Sequence, residues 1–321
     1  MKFLSLIYGF AVFLRNKMYD AGIFKSEQVE NTEIICIGNI VAGGSGKTPA
    51  VQYFAGKYIN ENKKVGILSR GYKGERKTDM MVVRDKNTII ARPSEVGDEA
   101  YLHALNMQIP VVVSKNRYNG AVYLRDKHNV DVIIMDDGFQ HRKLKKNKNI
   151  VLIDATNPFG NYEYLPKGRL RESIDELKRA DEIIITKSNY VENSVIELIK
   201  NKIRKYNRPV SIAVFSEKGF YDYEGKNYAL DIIKDKKVMI FSSIANPATF
   251  YETVKKLEPA KIDEIKFTDH HLYSEEEIEE IQSESKNYDY VVTTEKDIVK
   301  INRKIDNLLI LKMEFEIIGK K

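Results

Sequence analysis

Lys47 and Thr48, preceded by Gly43, Gly44, Ser45 and Gly46, are the residues of this 321-residue chain whose types and spacing point most directly to chemistry. Glycines let backbone N–H groups turn inward around phosphate oxygens. A lysine ammonium bridges the β- and γ-phosphates, and a threonine hydroxyl holds magnesium. Binding of a nucleoside triphosphate with Mg2+ is therefore expected here. One departure stands out: the strict G-x-x-x-x-G-K-[ST] spacing would put glycine at 41, where the chain has Val41. A second carboxylate element should share the metal. The apolar run 130–135 (VDVIIM) ends in Asp136 and Asp137, acids at the C-terminal end of a strand, where α/β sheets bind ligands. Asp-Asp-Gly can equally be a simple turn, and the glycine loop upstream favours the metal reading. Arg70, Arg117, Arg169 and Arg171 carry guanidinium groups suited to bidentate contact with phosphate oxygens.

These residues need a strand before the loop and a helix after it. Residues 33–37 (EIICI) supply the strand, and a helical pattern follows from Pro49, which a helix tolerates in its first turn. Short apolar runs at 65–69, 110–114, 132–136, 150–154, 182–186 and 210–215 read as further strands. Helices are expected to begin near Thr48, Ser94, Arg117, Arg171 and Val191. This alternation predicts an α/β fold, a P-loop NTPase-like, mostly parallel sheet flanked by helices. The pattern changes at 216–228 (SEKGFYDYEGKNY), polar and Gly-containing, which reads as a hairpin or crossing linker. Beyond it, strands at 237–242, 290–294 and 308–312 and helices at 247–257 and 274–285 make a second, smaller α/β domain. The second of these helices opens with a capping box, Ser274 and Glu277, so its acidic run reads as a solvated face. The expected division is 1–30, an N-terminal helical segment; 31–215, the nucleotide-binding domain; and 216–321, the smaller domain.

The formal charge of +6 comes from 52 basic and 46 acidic residues mixed along the chain, so nucleic acid is not implied, and nothing points to an obligate protein partner. The single cysteine, Cys36, lies in an apolar strand and cannot form an internal disulfide, which suits a reducing compartment. No stretch reaches the roughly 18 to 20 apolar residues of a membrane-spanning helix. The segment 3–14 (FLSLIYGFAVFL) is nonetheless almost wholly apolar, with Lys2, Arg15 and Lys17 beside it. No small-residue cleavage site follows, which argues against a signal peptide. A buried first helix and an interfacial helix, its cations meeting lipid phosphates, both remain open on these residues.

The chain resembles the tetraacyldisaccharide 4'-kinases, the ATP-dependent enzymes of lipid A biosynthesis, through motifs spread over nearly its whole length. They are GN-x3-GGSGKTP at 38–49, SRGY at 69–72, VGDE at 96–99, DDGFQH at 136–141, LPxGRLRE at 165–172, TDHH at 268–271 and TEKD at 294–297. The resemblance implies transfer of the γ-phosphate of ATP to the 4'-hydroxyl of tetraacyldisaccharide 1-phosphate, giving lipid IVA. It implies a peripheral protein on the cytoplasmic face of the bacterial inner membrane, which favours the interfacial helix. Asp98 would accept the hydroxyl proton. His270, from a second domain closing over the site, would orient it. Arg70 and Arg171 would meet phosphates, Glu172 would assist at the metal or the hydroxyl, and TEKD would contact the base or support the hinge. A P-loop switch that phosphorylates no small molecule is the competing class. A guanine-specific member would show N-K-x-D, and TEKD lacks the asparagine.

Overall fold

The computed structural model describes residues 1–269 and 271–319. They form two compact units, one of Met1–Phe215 joined by the residues from Phe315 on, the other of Ser216–Glu314.

The first unit begins with helix α1 (Lys2–Asp20), followed by β1 (Glu33–Asn39), α2 (Lys47–Asn60), β2 (Val65–Ser69) and β3 (Met80–Arg84). Then come α3 (Pro93–Val96), α4 (Asp98–Asn106), β4 (Val111–Ser114), α5 (Arg117–His128) and β5 (Val132–Asp136). The unit continues with β6 (Lys148–Asp154), β7 (Glu182–Thr186), α6 (Asn193–Ile203) and the first part of β8 (Val210–Tyr221). The strand order is β8-β7-β6-β1-β5-β2-β4-β3. Every neighbouring pair is parallel except β3, which runs antiparallel to β4 at the edge. Central strands are covered on both sides, so they read as unbroken apolar runs: all five residues of β5 and the last six of β1 are buried. Cys36 sits in that core, and burial pushes its thiol up to about 11. Register brings the working ends together. Ile37 lies opposite Asp136 and Leu68 opposite Met135, so the loops leaving β1, β2 and β5 emerge side by side at the carboxyl edge.

The second unit contains β9 (Asn227–Tyr228), β10 (Lys237–Ser242), α7 (Pro247–Lys255), β11 (Lys261–Lys266), α8 (Glu275–Ser285), β12 (Tyr290–Thr294), α9 (Glu295–Ile298) and most of β13 (Leu308–Ile318). Its strands follow the order β11-β10-β12-β13, each adjacent pair parallel. The segment read as a hairpin or linker is a hairpin: β8 runs on to Tyr221, and Phe220 pairs with Tyr228 of β9.

Three expectations are corrected. No α-helix begins at Arg171; Arg171 N–H donates to the Ile40 carbonyl and Leu170 bridges Val41, so the segment runs extended before a 3-10 turn at Ile174–Arg179. The helix expected near Ser94 is two helices, broken at Gly97, whose φ of +83° suits glycine. Edge strands β3 and β11 were not anticipated; the latter, KIDEIK, is charged at four of its six positions and carries its own Lys261–Asp263 ion pair.

Helix α1 is inside out. Its buried residues are Ser5, Gly9 and Asn16, while Phe3, Leu6, Phe10 and Phe13 are exposed. Ser5 Oγ accepts from Lys167 N–H, and Gly9 lies against the Tyr164 ring, where an added Cβ would come within 2.7 Å. Among the described residues no helix is long and apolar enough to cross a membrane.

Candidate active site

The loop between β1 and α2 is shaped by two glycines in the left-handed region, Gly43 at φ +120° and Gly46 at φ +80°. Gly46 caps α2, and a Cβ there would stand 2.2 Å from the Phe215 ring. Asn39 Nδ2 donates to Ser45 Oγ at 2.7 Å. Behind the loop, Thr186 Oγ1 donates to the Ser45 carbonyl and Lys187 Nζ to that of Gly44. Gly43 and Gly44 remain exposed. The amides of this turn and the N-terminus of α2 together make an anion site. Val41 needs no glycine, since its backbone is extended in an antiparallel bridge to Leu170 and its side chain packs on the core.

Lys47 is buried, with Nζ 3.8 Å from Asp137 Oδ1. Arg171 Nη1 donates to both oxygens of Asp137 at 2.7 Å. Burial raises the Asp137 carboxyl, but Lys47 and Arg171 outweigh it and leave it below the usual carboxylate range. Asp136 is wholly buried. Its Oδ2 lies 3.3 Å from His103 Nε2 and accepts from Ser69 Oγ at 3.4 Å, while its Oδ1 has no hydrogen-bond partner. An orphaned carboxylate oxygen beside a phosphate loop fits a metal-bound water or the metal itself. Among the described residues no cluster of three or more His, Cys, Asp or Glu forms a cation cage. Magnesium needs none, because it is held by one or two carboxylates together with substrate phosphates.

The VGDE and SRGY motifs build one wall. Gly97 lies so close to Tyr72 that a Cβ would stand 2.2 Å from its carbonyl, and Arg76 donates to the carbonyls of Arg70 and Gly71. Asp98 and Glu99 open α4. The field of Glu99 acts on both Asp137 and Arg171, so this helix end faces the cluster. Arg70 is exposed and Arg117 buried; burial brings Arg117 down to about 10, still charged at neutral pH. Burial first, and then Arg117, bring His141 down to about 4, leaving it neutral.

Several expected residues stand elsewhere. Glu172, expected at the metal, is wholly buried, and both its oxygens are committed: Oε1 to Arg15 at 2.7 Å and Asn16 at 3.0 Å, Oε2 to Arg179 and Gln140. A cation would have to displace two guanidinium groups there. Arg15, expected at lipid phosphates, turns inward to that pair. Arg169 is exposed on the rim of a recess bounded by Gly43, Gly44 and Asp154. His270 lies outside the described residues; its neighbour Asp269 is exposed in the second unit. TEKD forms an internal knot: Asp297, wholly buried, accepts from Ser243, Tyr273 and Thr294, which leaves it no part in reading a base.

Sequence reasoning passed over His103 and Gln140. His103 stands four residues after Glu99 on the same helix face, a spacing that signals its partnership with the site. Gln140 Nε2 joins the Asn39 carbonyl at the end of β1 to Glu172.

The family profile described as tetraacyldisaccharide-1-P 4'-kinase matches residues 1–321. A tetraacyldisaccharide 4'-kinase of Halothermothrix orenii is 34% identical over 319 residues, covering 94% of this chain and 83% of that protein. One of Bdellovibrio bacteriovorus is 33% identical over 311 residues, covering 96% and 91%. A crystal structure of LpxK from Aquifex aeolicus in complex with ATP superposes with a TM-score of 0.78 at 29% identity, covering 98% of this chain and 93% of that one. With the full-length profile match and relatives above 30% identity over nearly all its residues, the chain belongs to the tetraacyldisaccharide 4'-kinase family.

Proposed function

We propose that this protein transfers the γ-phosphate of ATP to the 4'-hydroxyl of tetraacyldisaccharide 1-phosphate, giving lipid IVA, at the cytoplasmic face of a membrane on which α1 rests. The observation that carries the reading is the cluster of Lys47, Asp136, Asp137 and Arg171 at the mouth of the glycine loop. The loop amides and Lys47 gather the triphosphate and hold its γ-phosphoryl group for in-line attack. Thr48, Asp136 and Asp137 are the residues that would hold Mg2+, which when bound neutralises charge on the phosphate oxygens. Arg171 keeps Asp137 ionised and aimed, and the exposed Arg70 meets a phosphate. The 4'-oxygen bonds to phosphorus as the bond to the β-phosphate's bridging oxygen breaks, and the hydroxyl proton passes to Asp98. The exposed apolar side of α1 would lie among lipid headgroups, so that the substrate's acyl chains stay in the bilayer.

The test is incubation of the purified protein with Mg-ATP and tetraacyldisaccharide 1-phosphate, with mass spectrometry of the lipid and Lys47→Ala as control. Addition of one phosphate by the wild type alone is expected. A folded, ATP-binding wild type that leaves the lipid unmodified would overturn the assignment.

A further inference from the structure

Besides the packing of Tyr8 and Gly9 on the Tyr164 ring, helix α1 touches the rest of its unit through polar groups. Tyr8 Oη donates to the Arg171 carbonyl at 3.1 Å. Arg15 and Asn16 both donate to Glu172 Oε1, and Arg15 also donates to Asn16 Oδ1 at 3.0 Å. Arg142 donates to the Asn16 carbonyl and to Asp20. On the far side of Glu172, Gln140 reaches the Asn39 carbonyl where β1 enters the glycine loop. The preceding residue, Arg171, holds both oxygens of Asp137 through its guanidinium and the Ile40 carbonyl through its N–H. A continuous polar strut thus runs from the buried side of α1 to both halves of the nucleotide cluster. An anchor that only held lipid would need none of it.

We propose that Asn16, Arg15 and Glu172 are positioning residues for phosphoryl transfer: α1 sets the aim of Arg171 and the stem of the glycine loop, so the element that faces the lipid also aligns the nucleotide site. The inference rests on the kinase reading for its reaction and on the hydrogen bonds above for its residues. Glu172, wholly buried with both oxygens engaged, is the node where the helix and the loop meet. Severing it on the α1 side removes no candidate catalytic group but lets Arg171 drift, and misplacement by about an ångström costs on the order of a hundredfold in rate.

The experiment compares Asn16→Leu, Asn16→Asp and the double variant Asn16→Asp/Glu172→Gln with the wild type. Three quantities are measured: binding to phosphatidylglycerol vesicles, ATP affinity in lipid-free detergent solution, and kcat with the disaccharide in mixed micelles. Asn16 is on the buried side, so vesicle binding should not change. For Asn16→Leu, kcat should fall on the order of a hundredfold, with ATP affinity weakened about tenfold or less. Asn16→Asp sets two carboxylates face to face and should behave likewise. The double variant exchanges donor and acceptor across the same contact and should recover much of kcat, a rescue that a general loss of stability would not give. Should Asn16→Leu fold poorly, Arg15→Gln breaks the same strut from a half-exposed position. Unchanged kcat in Asn16→Leu, or no recovery in the double variant, overturns the proposal. A wild type that binds ATP but leaves the disaccharide unmodified would instead sink the substrate reading, with ATP affinity still reporting on the strut.

Discussion

Replacing Gly46 by alanine tests whether the glycine loop is set by backbone geometry and packing, as its contacts indicate. Gly46 holds φ +80°, a conformation that costs an L-residue roughly 1 to 2 kcal/mol. The new Cβ would also stand 2.2 Å from the Phe215 ring, and that ring is held: its centroid is 5.6 Å from that of Phe315, which packs in turn at 5.3 Å on Tyr53. Phe215 cannot yield without breaking that aromatic row, so overpacking adds about 1 to 3 kcal/mol. The sum, about 2 to 5 kcal/mol, is a large part of a typical domain's stability. Gly44 is the internal control, because it has no left-handed φ and a Cβ there meets nothing within 4 Å. Differential scanning calorimetry and fluorescent-nucleotide titration should separate the two. Gly46→Ala should lower the first unit's unfolding midpoint by roughly 5 to 15 °C. Gly44→Ala should leave the midpoint alone and lose ATP affinity, since its methyl stands where phosphate approaches. Equal midpoints for Gly46→Ala and wild type would refute the reasoning, whatever happened to affinity.

Other perturbations have defined outcomes. Asp98→Asn should lower kcat by roughly a hundred- to ten-thousandfold with ATP affinity unchanged, read by steady-state kinetics and nucleotide titration. Asp137 ionises more readily folded than unfolded, so its cluster adds full stability above about pH 4 and loses it as pH falls further; in acid titrations of unfolding, the gap between wild type and Asp137→Asn should narrow below that pH. Val41→Gly, which restores the strict loop spacing, should cost about 1 kcal/mol or more in chemical denaturation without tightening ATP, because the site is an extended bridge that gains nothing from glycine. Replacing Phe3 and Phe10 together by serine should weaken vesicle partitioning by roughly a hundred- to ten-thousandfold in a sedimentation assay, at about 1.5 to 3 kcal/mol for each ring if both enter the headgroup layer.

The parallel sheet was legible because central strands buried on both sides show up as unbroken apolar runs, and the glycine loop because its residue types have few other uses at a strand-to-helix turn. Helix α1 resisted reading for the opposite reason. Apolar periodicity marks the side facing the core only if the core is the apolar surroundings on offer, and here Phe3 and Phe10 point outward while Ser5 and Asn16 point in. Glu172 was misread because a carboxylate inside a motif looks the same on paper whether it meets a cation or two arginines. Only the fold shows that Arg15, 157 positions earlier in the chain, reaches it first. Likewise, the residues around Arg171 have ordinary helical propensity, but their amides are spent on Ile40 and the bridge to Val41, a tertiary demand that no local pattern records.

The tandem acids show how neighbouring residues of one type come to divide a task. Asp136 is the last residue of β5, still in the sheet, so its side chain is walled in by Ser69 and His103 and keeps one oxygen without a partner. Asp137 has left the strand at φ +50°, which turns its carboxylate toward Lys47 and Arg171, where cations hold it ionised. One acid thus has an oxygen open to a cation, while the other is fixed and charged at the mouth of the loop. A single acid at either place could not do both. The reversal of direction needs the step out of the strand between them, which the small Gly138 allows by packing directly on Met135, where a Cβ would come within 2.6 Å of the sulfur. Asp-Asp-Gly is therefore the turn that the bare sequence offered, and that turn is what points the two carboxylates in different directions and leaves one of them an oxygen without a partner.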